Sequence, residues 1–416
     1  MAIRNLATLA TAGVLLAALA TQAERKPPPA EPPPPLQPAL RIEVAPLGYV
    51  PPGSFYLTYR LTSAAMGFFD DDHLLFSFRV GGLLKRLPGD RLDDEDQEIR
   101  AVVLDVRTGK VVKQSEWREH DKLEYLWPYQ DGQFLVRIRN SLFLTDKSLE
   151  IRPYLTLDSP LRDVQVSPDR KLTVVETDEP QNASPVIGNT QALGNGKPVK
   201  VTFLRSGTQE EVAVSHADRP VKVPFLGDGV LNTLQGKKLG TWLVSWAPFH
   251  GEARTLAEVT AECSPTPEAV SSSVALIVGC YLAGDDHLVA AVSDKGQDLW
   301  HTNWQNKYVW GWIASAENGS RFVYESLEVN RPISTFDALY PDDIRGQLAG
   351  VYDTQTGNLV LVKNTSPVLT AGQNVALSPD GSRFAILRDG AVEIYDLPPV
   401  TKPLQPVAAK VSKKHK

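Results

Sequence analysis

Four tryptophans crowd into one short run, Trp300-His301-Thr302-Asn303-Trp304-Gln305-Asn306-Lys307-Tyr308-Val309-Trp310-Gly311-Trp312. Side chains of an extended chain alternate between two faces, so Trp300 and Trp304 share a face, and so do Trp310 and Trp312. Indole rings with amides beside them suit stacking on sugars or anchoring a protein interface. Trp300, Trp304, Trp310 and Trp312 are therefore the candidate ligand- or partner-binding residues. The competing role is plainer: large aromatics also fill the wedge-shaped gaps between neighbouring sheets.

Other reactive groups carry less. Asp71-Asp72-His73-Leu74 recurs as Asp285-Asp286-His287-Leu288, and aspartate with histidine can hold a metal. Acidic turns are more often simply solvated, and no metal site is assigned. The run Asp90-Arg91-Leu92-Asp93-Asp94-Glu95-Asp96-Gln97-Glu98 has neither the fixed glycine nor the closing glutamate of a calcium loop and reads as an exposed connection. G-x-S-x-G, H-E-x-x-H and phosphate-loop patterns do not occur, and the 7 histidines are scattered. No catalytic residue is assigned. Cys263 and Cys280 are the only 2 cysteines; their spacing is not C-x-x-C, and in an oxidising compartment such a pair forms one bridge, contributing ~3 kcal/mol by loop closure.

The elements that must position these groups announce themselves by repetition. Leu377-Ser378-Pro379-Asp380-Gly381-Ser382-Arg383-Phe384, Val166-Ser167-Pro168-Asp169-Arg170-Lys171-Leu172 and Ala314-Ser315-Ala316-Glu317-Asn318-Gly319-Ser320-Arg321-Phe322 are each a strand, a tight turn and a second strand. Weaker versions at 69–74, 129–134, 226–229 and 283–288 bring the marks to seven. A second turn, D-x-x-T-G, occurs at 105–109 and 353–357, with a shorter relative at 144–149; Asp starts it and Gly takes the left-handed position. Two turn types in alternation give four strands per unit, and units that cannot bury their own apolar faces must stack. The expected fold is all-β, a seven-bladed β-propeller of four-stranded antiparallel blades. The last unit offers three strands, near 374–377, 383–388 and 392–395, so an N-terminal strand within 42–61 should complete it, since an open edge would invite mispairing. An open pair of β-sandwiches is the alternative, and it would not produce the repeated turns.

Ser-Pro-Asp-Gly before one strand and D-x-x-T-G before another resemble the WD-repeat-like β-propeller superfamily, in an exported bacterial form without the Trp-Asp dipeptide. The resemblance spans most of 64–397 and implies fold rather than activity. Gly296-Gln297-Asp298-Leu299-Trp300 is similar to the docking motif of quinoprotein dehydrogenase propellers, but Lys113 and Leu361 stand where the other repeats would need tryptophan. No cofactor is expected.

The ends set the compartment. Arg4, the apolar run from Leu6 to Ala20, and small residues at Ala18, Ala20 and Ala23 form a secretory leader too short to span a bilayer. The expected division is a signal peptide at 1–23, a proline-rich linker at 24–40, the propeller at 41–398 and a basic disordered tail at 399–416, with export by the general secretion route to the periplasm or beyond. Retention of the leader as an anchor is the alternative. A net charge of -6 excludes the dense basic face that nucleic acid requires. The function expected is a monomeric exported scaffold binding a protein or cell-envelope ligand. The alternative is an envelope hydrolase, lyase or lactonase with carboxylates at the channel mouth.

Overall fold

The computed structural model describes residues 35–400, apart from 83, 86–95, 120–122, 180–190, 193–196, 280–285, 306–307, 332, 334–337 and 370–372, and apart from the side chains of 191–192, 286–287, 305 and 308–311. Among the described residues seven antiparallel blades follow one another around an axis, beside one separate two-stranded pairing. Blade 1 comprises Ala64–Asp70, His73–Arg79, Gln97–Asp105 and Val111–Glu119; blade 2 comprises Leu126–Tyr129, Gln133–Ile138, Ser141–Thr145 and Arg152–Thr156. Blade 3 is built from Leu161–Val166, Leu172–Asp178, Val199–Arg205 and Glu210–Ala217, and blade 4 from Gly229–Gln235, Thr241–Pro248 and Arg254–Thr260. Blade 5 holds Thr266–Ala269, Val274–Val278, Asp286–Ser293 and Asp298–Gln305; blade 6 holds Tyr308–Ser315, Arg321–Val329, Ile344–Asp353 and Leu359–Asn364. Blade 7 is Val375–Leu377, Arg383–Arg388 and Ala391–Asp396, completed on its outside by Leu40–Glu43. In each four-stranded blade the first strand lies at the axis, the outermost strand of blade 7 being the N-terminal one.

The ring closes as the open edge demanded. Leu40 pairs with Ile394 and Glu43 with Ala391, so the completing strand starts two residues ahead of the window expected for it. Seven apolar clusters lie one in each seam. In blade 1, Leu74, Phe76 and Phe78 face Ala385, Leu387 and Ile394 of blade 7, while the alternate Leu75 and Val103 face Phe134 and Val136 of blade 2. Period-two alternation therefore gives each sheet two greasy faces, and each neighbour covers one.

Six of the seven marked turns join the first two strands of a blade. The two Ser-Pro-Asp turns share one set of bonds: Ser167 Oγ and Ser378 Oγ donate to Asp169 and Asp380 at 2.7 and 2.6 Å, and accept from the amides of Leu172 and Arg383 at 2.9 Å each. The left-handed position falls to Gly381 in blade 7 and to Arg170, with φ of 59°, in blade 3. The seventh mark, 283–288, belongs between the second and third strands of blade 5, and 280–285 lie outside the described residues. The turn it was meant to mark is Val270-Ser271-Ser272-Ser273, which carries neither Asp nor Gly.

Blade 4 shows three strands in its sheet because its innermost strand is interrupted. Pro224 has no N–H to give a ladder. The segment still runs beside the second strand: Leu231 N donates to Pro224 O at 2.7 Å, and Phe225 bridges Val230. Val221–Lys222 pairs instead with Gln191–Ala192.

Candidate functional site: the axial channel

The inner strands enclose a cavity of about 690 Å³ lined from all seven blades. Its lining runs from residues that precede or begin those strands, Glu124, Lys222, Ser264 and Gln373, to residues at their far turns, Ser167, Arg170 and Ser315. The cavity is thus the axial channel, and its two ends differ.

At the turn end, Arg170 reaches from blade 3 to Glu317 of blade 6, Nη1 to Oε2 at 2.8 Å. Those blades stand three apart in a ring of seven, so the ion pair lies across the axis. The Arg170 side chain is 5% exposed, and burial pulls its guanidinium down from the ordinary arginine range while Glu317 pushes it back up.

The strand-start end gathers carboxyl groups. Glu124 and Asp163 line the cavity, as do Lys222 and Glu268, whose Nζ and Oε2 pair at 3.0 Å. Gln373 donates through Nε2 to Glu124 Oε1. Glu124 keeps some surface on the channel, yet protein encloses it, and this desolvation, reinforced by the charge of Asp163, pushes its carboxyl well above the usual range. Asp163 is raised to about 6, again by desolvation, with backbone and Gln165 hydrogen bonds and the charges of Arg137 and Lys222 opposing.

The mouth is fixed from behind by the sheets. Gln165 acts as a strand partner for the interrupted segment of blade 4: its amide donates to Val221 O at 3.1 Å and to Asp163 Oδ2 at 3.0 Å, and its carbonyl accepts from Val223 N at 3.0 Å. One position late in the second strand ties down the chain entering the next blade. Ser77 Oγ meets Tyr125 Oη at 3.0 Å, and Glu176 Oε2 accepts from Val221 N at 3.2 Å. The amide nitrogen of Asn374, turned toward Glu325, donates to both its carboxyl oxygens at 2.8 and 3.1 Å. Burial raises Glu176 to about 8, with help from Asp163, and lifts Glu325 well above the carboxylate range.

The tryptophan run divides. Trp300 and Trp304 lie in the outermost strand of blade 5 and pack on blade 6: Trp300 stacks on Phe322 with ring centroids 6.5 Å apart and donates to Thr354 O at 2.9 Å, and Trp304 meets Tyr324 at 4.3 Å. Trp312 lies in the innermost strand of blade 6 and lines the channel. The Trp310 side chain lies outside the described residues, and the pairing is irregular between Val309 and Trp312. Asp71 and Asp72 sit at the blade 7 to blade 1 seam, where Asp72 pairs with Arg383 and Arg107 at 2.7 Å each. The side chains of Asp285, Asp286 and His287 lie outside the described residues, as do 90–95 of the acidic run. Among the described residues no group of three or more potential ligands for a metal occurs, and no helix is long and apolar enough to cross a membrane. The channel carboxyls Glu124, Asp163 and Glu268 and the cation Lys222 were not singled out by the sequence; their common signal is a charged residue within a few positions of the start of an inner strand.

No family model and no curated protein matches the chain. Among solved structures it is similar to the C-terminal WD40 domain of Sif2, at 10% identity over 88% of this chain and 99% of that one, with a TM-score of 0.39. It is similar also to acylaminoacyl peptidase of Pyrococcus horikoshii, at 10% identity over 85% of this chain and 54% of that one, TM-score 0.46. Hydrazine synthase of Kuenenia stuttgartiensis shows 13% identity over 85% of this chain and 100% of that one, TM-score 0.40. Those likenesses concern fold. With seven blades, a last blade sealed by the N-terminal strand, and Ser-Pro-Asp turns on the inner hairpins, the chain is a seven-bladed β-propeller.

Proposed function

We propose that the protein is an exported binding propeller that takes a ligand, or a projecting group of a protein or envelope partner, into its axial channel from the strand-start end. The observation that carries this reading is the cavity of about 690 Å³, a volume suited to a small organic ligand, with an ion pair across one end and polar groups gathered at the other. Trp127 and Trp312 in the lining supply stacking surface. Ligand-observed NMR of the full chain with a mixed set of cationic, anionic and neutral fragments tests it. At least one fragment should bind wild type and lose binding to Ala269→Trp, which fills the lining; binding by no fragment, or binding indifferent to that substitution, refutes it.

Export, a monomeric state and a Cys263–Cys280 bridge belong to the same reading. Cys280 lies outside the described residues, and no free cysteine is found among those described. Sequencing the mature N-terminus, which should begin after Ala20 or Ala23, and thiol alkylation of the unreduced chain test the first and last of these.

One observation favours a second reading. Burial lifts the Glu124 carboxyl well above its usual range and Asp163 to about 6, and two carboxyls whose surroundings shift them to different extents can serve as acid and base. A hydrolase or lyase acting this way would lose turnover, but not ligand affinity, in Glu124→Gln.

A further inference from the structure

We infer that the ligand of this channel presents a protonated amine on an apolar stem to Glu124 and Asp163; the inference rests on the channel-binding reading above. It starts from a count of charges. Lys222 is taken by Glu268 and Arg170 by Glu317; of the charged groups lining the cavity this leaves Glu124 and Asp163 without an ion pair among the described residues, although the charges of Arg137 and Lys222 reach Asp163 and that of Lys222 reaches Glu124. The two feel each other, since the charge of Asp163 pushes the Glu124 carboxyl up. A third group independently asks for a donor. Gln373 is 8% exposed and lines the cavity; its amide nitrogen is used on Glu124, and its Oε1 has no partner. A buried acceptor without a donor costs about 1–3 kcal/mol.

An ammonium group answers all three at once. It carries three N–H donors, one for each of Asp163, Glu124 and, after a small rotation of its amide, Gln373. Its positive charge stabilises the ionised forms of Glu124 and Asp163, which burial opposes, so binding favours release of a proton held by either carboxyl. Below the carboxyls the wall turns apolar, with Trp127, Val164, Pro224 and Trp312, and an alkyl stem gains about 0.8 kcal/mol for each methylene buried there. An anionic head would be repelled by the Asp163 carboxylate, and a hydroxyl has one donor for three acceptors.

Three probes with one stem separate the possibilities: hexylamine, hexanol and hexanoate, titrated calorimetrically into the full chain at neutral pH in two buffers of different ionisation enthalpy. Hexylamine should bind at least tenfold more tightly than the others and release a proton. Glu124→Gln with Asp163→Asn should weaken it at least tenfold and abolish the proton release. Lys222→Met, which frees Glu268, should instead tighten it, so the prediction survives a poorly folding carboxyl variant. Hexanol or hexanoate binding as well as hexylamine, with all three blocked by Ala269→Trp, overturns the amine assignment and leaves channel binding standing. Hexylamine binding unaffected by Ala269→Trp overturns it as a surface effect. Failure of every probe and of the mixed fragment set overturns both readings.

Discussion

Replacing Arg321 by methionine should loosen the ring at one seam, and the cost can be worked from its partners. Arg321 opens the second strand of blade 6 with its side chain 1% exposed; Nε donates to Asp353 Oδ1 at 2.8 Å, Nη1 to Gly381 O at 2.8 Å, and Nη2 to Pro398 O. One side chain thus joins two turns of blade 6 to the inner turn of blade 7 and to the chain beyond its last strand. Methionine keeps most of the volume and removes every donor. Depriving a buried carboxylate of its guanidinium costs ~3–5 kcal/mol, and each orphaned carbonyl adds about 1 kcal/mol. With a urea slope of roughly 3 kcal/mol/M for a domain of this size, the midpoint should fall by ~2 M. Equilibrium unfolding followed by tryptophan fluorescence, with a refolding limb, measures it. The double variant Arg321→Met, Asp353→Asn should recover at least about 1 kcal/mol relative to the sum of the singles, because neither then leaves an uncompensated charge. A single-variant loss below about 1 kcal/mol, or strict additivity, would refute the reasoning.

Three further outcomes follow from particular contacts. A Cβ at Gly67 would overlap the ring of Phe134, itself fully buried in the blade 1 to blade 2 seam, so Gly67→Ala should cost ~1–3 kcal/mol by overpacking, measured as a lowered urea midpoint. Glu176 has its folded carboxyl raised to about 8 from 4.5, so its contribution is fully present below pH ~4.5 and is lost as pH rises through 8; stability of the wild type should decline across that window and that of Glu176→Gln should decline less, and parallel curves would count against it. Because Arg170 holds φ of 59°, Arg170→Gly should unfold at higher denaturant than Arg170→Ala by about 1 kcal/mol, both having lost the same ion pair; equal midpoints would show that the turn relaxes.

The fold was legible where turns have chemistry and obscure where they do not. Asp and Gly at defined offsets revealed six inner hairpins, and the three strands left at the C-terminus foretold that the N-terminal chain would seal the last blade. Blade 5 escaped because Val270-Ser271-Ser272-Ser273 makes its turn with serine: Ser273 N donates to Ser271 Oγ at 3.2 Å, a weaker signal than an Asp turn. Blade 4 conceals its inner strand because Pro220 and Pro224 break the pattern and a glutamine from blade 3 supplies the missing pairing. The tryptophan run reads as two aromatic surfaces, and Trp300 and Trp304 do share one, against blade 6. What sequence order could not convey is that the connection within that run leads from the rim of blade 5 to the axis of blade 6, so that Trp312 lines the channel. The channel charges were hidden for the same geometric reason: Glu124, Asp163, Lys222 and Glu268 come from four successive blades, and only closure of the ring makes them neighbours.

The seal between Leu40–Glu43 and Ala391–Asp396 dictates an order of events during synthesis. Leu40–Glu43 has no partner until Ala391–Asp396 leaves the ribosome, so a nascent chain carries a growing arc with two raw borders while the blades between them are made. Emergence of Ala391–Asp396 then converts an open arc into a hoop in one step. Joining the two termini through a flexible tether and cutting the backbone between blades 3 and 4 would move that moment to a different seam, leaving the finished hoop unchanged.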